Sequence, residues 1–557
     1  MPPLADAQLY RALVARDVRF DGVFFVGVTS TGVYCRPVCR APKPRPERCR
    51  YYASAAAAER RGFRPCLRCR PELAPGRQAV GAAPTAVPRD AGAMDTAASV
   101  DAVAWLARAA AGRIAAGALD RAPLAALAAE LGVSARHLRR AVERELGATP
   151  VELAQTRRLL TAKQLLTDTA LPVTRVALAS GFGSVRRFNA LFRARYRLAP
   201  SALRRGRAGG TSADVPNDVA GDASGGIVAL SLAYRPPLAW GELLAYLERR
   251  ATPGIEAVEA AAPEGGGRYW RTVALHGCRG QVAIGPVGAG RSAAGCAPIL
   301  RVELSAALLP VLVPLLARLR RLLDLDADPL AVDAHLAADP ALAPLVARRP
   351  GLRVPGAVDG FELALRAVLG QQVSVRGATT LAGRLARLVA EPLPAALPAA
   401  ALVSGAAASA ASPPCLLTHL PVDAARLADA GIPLVAGIGL PRARAACVVA
   451  LARAVADGAF PELTGDAPAT ASPGDPAGFA RRLTALPGVG AWTASYVAMR
   501  ALGWPDAFPE GDLALRRAAG GLSPARLRAA AERWRPWRAY AAQHLWAALG
   551  DAAVAGA

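Results

Sequence analysis

The sequence predicts a multidomain, mainly α-helical protein, and three observations predict it. The chain has 557 residues, several times the ~100–200 residues of one domain. Two stretches without sustained periodicity, 76–98 rich in Ala, Pro and Gly and 207–226 rich in Gly, Ser, Asp and Ala, separate segments with clear apolar periods. Those segments are helical in pattern except near 1–75 and 227–340, where strands are expected beside helices. The expected division is a small four-cysteine α+β unit at 1–75, an all-α unit at 99–206, a second α+β unit at 227–340 and an all-α unit at 341–553, with the two loose stretches as flexible linkers. The back half is accordingly expected to move independently of the front.

The formal net charge of +24 is unevenly spread. Residues 1–72 carry 14 basic and 6 acidic side chains and residues 101–207 carry 19 and 7, which leaves only +4 for the rest. A general bias towards Arg is also visible, since Lys43 and Lys163 are the only lysines. Bias alone does not concentrate charge at one end, so the front is expected to gather a phosphate backbone with salt-sensitive affinity. No apolar run free of charge and proline reaches the ~18 residues of a membrane helix, and no signal peptide is expected at the start. Nine cysteines, four of them at metal spacing, fit a reduced cytoplasm better than a disulfide framework.

Within 1–75, Cys35 and Cys39 have three residues between them, Cys66 and Cys69 have two, and 26 separate the pairs. Two short turns that each aim two sulfurs at one point suit tetrahedral zinc, and spacing alone favours a purely structural zinc knuckle. The strings TSTGVYCRPVCR and FRPCLRCRP around these cysteines resemble the N-terminal domain of the Ada alkylation-response family. That resemblance implies that Cys35 takes a methyl group irreversibly from a DNA methylphosphotriester, with Cys39, Cys66 and Cys69 completing the zinc ligands. It implies no role for Cys49, expected to be a structural or spare thiol. Loss of charge on methylation is expected to relieve repulsion between an anionic tetrathiolate and phosphate, strengthening DNA binding.

Residues 124–147 read as an Ala-rich helix, a turn at Gly132 and an Arg-rich helix capped by Ser134, with Arg136, His137, Arg139 and Arg140 on the second helix. Residues 173–205 repeat the plan with Gly181, Ser184, Arg186, Arg187 and Asn189, and a long helix around 152–167 joins the copies. Two copies with basic second helices resemble the DNA-binding domain of the AraC family, most clearly in GFGSVRRFNALFRARYRLAPSALR. DNA binding through these arginines is implied, though Arg serves guanine edges and phosphates alike.

The second α+β unit opens with LSLAYRPPLAWGELLAYLERRA, an alternating run and then an amphipathic helix, with YWRTVAL as a later strand. His276, Cys278 and Cys296 are too irregularly spaced for a metal and are expected to pack. Further on stand LPGVGAWTAS at 486–495 and FPEGD at 508–512. A Pro-Gly-x-Gly hairpin that feeds a helix offers unpaired amides to a phosphate, and the second string brings one carboxylate to the start of another helix. From YRPPLAW to AERWRPWRAYAAQHLWAAL the chain resembles the bacterial 3-methyladenine DNA glycosylase II (AlkA) family of the helix-hairpin-helix superfamily, interrupted by an insertion at about 391–412. The resemblance makes 227–340 an AlkA N-terminal-like domain that supports the fold and 341–553 the glycosylase domain. It implies that Gly488 and Gly490 hold the DNA backbone, with a monovalent cation at the hairpin carbonyls, and that Asp512 stabilises charge on the sugar. It also places Trp492, Tyr496 and Trp546 around the flipped base, where electron-rich faces attract a cationic alkylated base. Packing in the core is the ordinary alternative for these aromatics. The family's wedge leucine is replaced by Gln372.

Trp492 stands where lyase relatives carry a Schiff-base lysine, and the back half has no lysine at all. With no cysteine after Cys447, an iron–sulfur cluster beyond Asp512 is excluded as well. The expected activity is therefore hydrolysis of an N-glycosidic bond that leaves an abasic site in an intact strand. Direct reversal at guanine O6 is not expected, because no PCHR-type acceptor motif is present. The implied cofactor is one Zn2+, and the implied partners are double-stranded DNA and RNA polymerase in the cytoplasm of a bacterium, at the nucleoid. The competing expectation is a methylation-activated transcription factor whose back half only docks on DNA.

Overall fold

The computed structural model describes residues 5–76, 96–208, 226–259, 266–287, 298–394, 416–464 and 476–555. Most of the two expected linkers and of the insertion, and Cys296, lie outside the described residues. The architecture is multidomain and mainly helical with two separate sheets, as the sequence predicts.

The first sheet is formed by β1 (Phe25–Val28), β2 (Val33–Cys35), β3 (Cys49–Tyr52) and β4 (Arg64–Pro65) in the order β3-β1-β2-β4. β2 pairs in parallel with β4, Tyr34 opposite Pro65, and the Cys66 amide donates to the Tyr34 carbonyl at 3.0 Å. This register brings Cys35 beside Cys66 although 30 residues separate them in the chain. Gly27 lies opposite Tyr34, and a Cβ there would meet the Phe63 and Tyr52 rings at 2.9 Å, so only glycine lets those rings cover the strand.

The next unit is two helix pairs, Leu124–Glu130 with Ala135–Leu146 and Val173–Ala179 with Val185–Tyr196. Ser134 Oγ accepts from the His137 amide and Ser184 Oγ from the Arg187 amide, the caps read from the sequence. Each contributes ~1 kcal/mol to its helix. The joining helix, Pro150–Asp168, opens with a capping box between Thr149 and Glu152.

The second sheet runs β5 (Ile227–Ala233), β9 (Ile299–Ser305), β8 (Cys278–Pro286), β7 (Arg268–Leu275) and β6 (Glu256–Glu259), all antiparallel. β5 alternates as expected, burying Val228, Leu230 and Leu232. Helices from Leu312 onward complete the chain, with one core around Phe361, Val368, Val448, Leu451, Phe479 and Val497 and another around Met499, Phe508, Trp534, Trp537 and Tyr540.

The expectation that the back half is independent of the front is corrected by the packing. One apolar core runs without interruption from Leu159, Leu165, Phe188 and Phe192 of the helical unit into Val228, Leu232, Leu304 and Leu308 of the second α+β unit. Gln164 Nε2 donates to the Ser231 carbonyl at 2.7 Å, and Arg235 Nη2 to the Asp21 carbonyl at 3.2 Å. Linker composition describes only the linker; the faces on either side bury apolar surface against each other, at ~1.5–3 kcal/mol for each large side chain buried.

Candidate functional site

The hairpin lies between helices Pro476–Thr484 and Ala491–Arg500. Gly488 has φ +82°, and a Cβ on it would press on Cys447 Cβ at 3.2 Å and Sγ at 3.3 Å, so both conformation and space require glycine. Gly490 is the N-cap residue of the second helix and supplies no side-chain cap, which leaves the amides of that first turn open to an anion. Gln371, which sequence reasoning passed over, ties this hairpin to the neighbouring turn. Its Nε2 donates to the Gly488 carbonyl at 3.0 Å and to Thr493 Oγ1 at 3.1 Å. Gln372 follows in the left-handed region at φ +57°, exposed, with Val373 and Val375 also exposed beside it. The turn between helices Gly360–Leu369 and Val375–Val389 therefore presents Gln372 outward while Gln371 is anchored inward.

Asp512 is the N-cap of helix Leu513–Ala518, and its Oδ1 accepts from the Leu515 amide at 2.8 Å. Trp492 Nε1 donates to Oδ2 at 2.8 Å and Trp546 Nε1 to Oδ1 at 3.1 Å. Tyr496 stacks on Trp492 with ring centroids 5.4 Å apart and planes 8° from parallel, and meets Trp546 edge-on at 6.3 Å. The three sequence-predicted aromatics and the carboxylate thus form one cluster, and the two indoles aim the carboxylate as well as offering their faces. The N-cap role and the site role fall on the same side chain.

The second α+β unit, expected to support the fold, also reaches this cluster. Helix Trp240–Glu248 sends Tyr246 to this cluster, where its hydroxyl lies 3.0 Å from that of Tyr496. Arg500 Nη1 donates to Tyr496 Oη at 2.8 Å, and the Arg250 guanidinium lies 3.8 Å from the centre of the Tyr246 ring. Burial alone would push the Tyr496 phenol up; Arg500, Arg250 and the hydrogen bonds outweigh it and bring it down to about 7. No local period marks Tyr246, whose partner lies 250 positions away.

The four sulfurs of Cys35, Cys39, Cys66 and Cys69 all lie within 4.8 Å of one another. A zinc ion at ~2.3 Å from each would set sulfurs ~3.8 Å apart, so one ion fits between them. Among the described residues this is the only cluster of His, Cys, Asp and Glu that could hold a metal. The Arg36 amide donates to Cys69 Sγ at 3.4 Å, and the Arg36 side chain, 2 % exposed, donates to the Cys69 carbonyl at 3.1 Å and to Asp21. Cys49 is buried elsewhere, its thiol donating to the Arg45 carbonyl at 3.4 Å among Ala12, Leu13, Phe24 and Val26.

Arg136, His137, Arg139 and Arg140 are exposed along helix Ala135–Leu146, while Leu138, Ala141 and Val142 are buried. Arg186 and Arg187 are exposed in the same way on helix Val185–Tyr196, over buried Phe188 and Phe192. No helix among the described residues is long and apolar enough to cross a membrane.

Comparison with known proteins gives these features a common setting. Residues 8–72 match the metal binding domain of Ada, 127–206 a helix-turn-helix domain and 229–359 the AlkA N-terminal domain. DNA-3-methyladenine glycosylase 2 of Escherichia coli is 34 % identical over 316 residues, 57 % of this chain and 96 % of that protein. The bifunctional transcriptional activator/DNA repair enzyme Ada of the same organism is 45 % identical over 75 residues, 14 % of this chain and 21 % of that protein. A probable bifunctional transcriptional activator/DNA repair enzyme AlkA of Mycobacterium tuberculosis is 39 % identical over 547 residues, 97 % of this chain and 96 % of that protein. With a four-cysteine metal site, paired helix-turn-helix units and a hairpin beside an indole-held aspartate in one chain, this protein belongs to the family of bifunctional transcriptional activator/DNA repair enzymes AlkA.

Proposed function

We propose that the back half is a monofunctional DNA glycosylase that hydrolyses the N-glycosidic bond of alkylated bases of the 3-methyladenine type, and that the front half senses DNA methylation. The observation that carries the first part is the Asp512 carboxylate, held by two indole N–H groups and its own helix beside a stack of aromatic rings. In this reading the Gly488–Gly490 hairpin holds the backbone phosphate, and a monovalent cation sits at the hairpin carbonyls, of which that of Gly488 also accepts from Gln371. Gln372 fills the gap left by the flipped base. Positive charge on the sugar meets Asp512 as the bond to the base breaks, and preorganised electrostatics of this kind contribute ~10²–10³ in rate. Without lysine anywhere in this half, no Schiff base forms and the strand stays intact.

In the front half Cys35 is the methyl acceptor. Its sulfur bonds to the methyl carbon, the bond between that carbon and its phosphotriester oxygen breaks, and the electron pair stays on the oxygen, which remains on phosphorus as the diester anion. Bound zinc would keep the sulfur deprotonated at neutral pH. Cys39, Cys66 and Cys69 would hold the ion with it, and the loss of one negative charge favours DNA. Arg136, Arg139, Arg140, Arg186 and Arg187 then meet promoter DNA, with RNA polymerase as the partner there and the nucleoid of the cytoplasm as the location. The proposed units are 1–75, 99–206, 227–340 and 341–553.

The test is release of 3-methyladenine from methylated DNA by the wild type and by Asp512→Asn. Strong release lost in the variant is expected; equal release would sink the assignment, and no release by either would favour a docking module. For Cys35, loss of methyl transfer from phosphotriesters in Cys35→Ala is expected, and retention would remove it as acceptor.

A further inference from the structure

The aromatic cluster contains a buried cation, Arg500. Arg500 is 6 % exposed, and its guanidinium donates to the Pro355 carbonyl at 2.6 Å, the Gly356 carbonyl at 3.0 Å and Tyr496 Oη at 2.8 Å. Among the described residues no carboxylate lies within ion-pair distance of it. Removing an isolated charge from water is costly unless an opposite charge accompanies it. Of the three groups that accept a hydrogen bond from Arg500, only Tyr496 can become an anion, while Tyr246 meets the guanidinium with its ring face, 4.9 Å from the ring centre. Tyr496 Oη receives an N–H from a residue that can only donate, and the Tyr246 hydroxyl stands 3.0 Å away, free to donate a second hydrogen bond. An oxygen that accepts from both is stabilised without its own proton.

Resting on the glycosylase reading above, we infer that Tyr496 is held as a phenolate, the counter-ion of Arg500 with Tyr246 as its second donor, and that this charge makes the pocket select positively charged N-alkylpurines. The phenolate ring lies parallel to Trp492 and edge-on to Trp546, so a flipped base that meets this cluster meets its charge. A cationic base gains from that charge and from the electron-rich faces, whereas a neutral base gains only stacking and burial.

The surrounding charges agree. On its own helix Tyr496 faces Arg500; from helix Trp240–Glu248 and the turn after it come Tyr246 and Arg250; from helix Gly360–Leu369 comes Arg366; from β6 comes Glu256; Asp512 stands beyond Trp492 and Trp546. Three guanidiniums therefore face two carboxylates, and Glu256 is already engaged by Tyr269, Arg271 and the Thr252 amide. The titration follows the same order. Burial raises Tyr496, the arginines and hydrogen bonds lower it further, and the balance lies at about 7. Tyr246 moves the other way, raised chiefly by its burial, as suits the proton donor of the pair. Above neutral pH the Tyr496 proton is in solvent; below it the proton returns and the selectivity is lost.

The full-length protein tests this in two ways. In an ultraviolet difference titration, one tyrosine is expected to ionise near neutral pH instead of near the ordinary ~10. That step is expected to vanish in Tyr496→Phe and to move to higher pH in Tyr246→Phe. A wild type with no tyrosine ionising near neutrality, or a Tyr496→Phe protein that keeps the step, overturns the phenolate. In competition between 3-methyladenine, a cation with no ring N–H to lose near neutrality, and hypoxanthine as neutral base, the wild-type excision ratio is expected to rise as pH passes neutrality. In Tyr496→Phe the ratio is expected to be roughly tenfold lower and flat with pH, a factor equivalent to ~1.4 kcal/mol; an unchanged ratio overturns the selectivity. Failure of the wild type to release any base removes the glycosylase reading and the selectivity with it, while the spectral titration still decides the phenolate.

Discussion

Glu59 places a pH-sensitive charge at the seam between the metal-binding and helix-turn-helix units. It is 2 % exposed, its Oε1 accepts from the Tyr34 hydroxyl at 3.0 Å and its Oε2 from Thr156 Oγ1 at 2.7 Å. Burial is the largest influence and raises its carboxyl from 4.5 to about 7; the bonds from Thr156 and Tyr34 and the charge of Arg195 only partly oppose it. The folded pKa lies above the unfolded one, so the folded state binds the proton more tightly. The stabilisation is fully present below pH ~4.5 and is lost as pH rises through about 7. At 1.36 kcal/mol per pH unit that gap is ~3 kcal/mol, a sizeable part of the ~5–15 kcal/mol that holds a protein folded. Glu59→Gln removes the titration and keeps the bonds, because both hydroxyl partners can donate to the amide oxygen or accept from its nitrogen. Urea denaturation across pH 4–8 of both proteins measures the difference. The wild type is expected to lose ~3 kcal/mol relative to Glu59→Gln over that range; parallel curves would refute the reasoning.

Three more outcomes are expected. Lys163 and Glu72 pair at 2.6 Å with each side chain 1 % exposed, and Glu72 also accepts from Arg70. Lys163→Ala should therefore cost ~3 kcal/mol, the lower end for breaking a buried pair, read by denaturation. Asp512→Asn keeps a cap but sets its amide N–H against one indole N–H, so beyond its loss of base release it should be destabilised by ~1–3 kcal/mol, visible as a lower melting temperature. Gln371→Ala removes the link between the Gln372 turn and the hairpin. It should slow base release from duplex DNA more than from a mismatched or single-stranded site, where extrusion costs less, and equal slowing on both would count against the link.

Much of this fold was legible because its signals are local. Ser134 and Ser184 cap the helices they precede, Gly181 takes the positive φ its turn requires, and the Gly488 hairpin and the Asp512 cap stand where their strings imply. What stayed hidden is pairing between distant side chains. Glu59 meets Thr156 across 97 positions, Lys163 meets Glu72 across 91, and Tyr246 meets Tyr496 across 250. None of these pairs leaves a period or a spacing, since each depends on which faces of separately folded units come together. The loose stretches at 76–98 and 207–226 suggested independence for the same reason: composition reports on the connection and is silent about the surfaces it joins.

Those hidden contacts explain how so small a unit can hold the Cys35 sulfur in place. A domain of about 70 residues buries too little surface to be rigid unaided and ordinarily depends on a metal or a partner. The cores here are correspondingly slight: one around Ala12, Leu13, Phe24, Val26 and Cys49, another around Phe25, Tyr34, Ala55 and Ala58. Both chain neighbours of Cys35 are anchored beyond those cores. Tyr34, fully buried, reaches through Glu59 to Thr156 of the long helix that joins the two helix-turn-helix copies. Arg36 is clamped by Asp21, whose carbonyl accepts from Arg235, and the Arg235 carbonyl in turn accepts from Arg353 at 2.6 Å. Arg36, Arg235 and Arg353 are all buried, so each lost partner would leave a buried polar group unpaired at ~1–3 kcal/mol or more. Cys35 therefore cannot shift without straining contacts to the helix-turn-helix unit on one side and to the glycosylase half on the other. The position of the metal-site sulfur is a property of the whole chain.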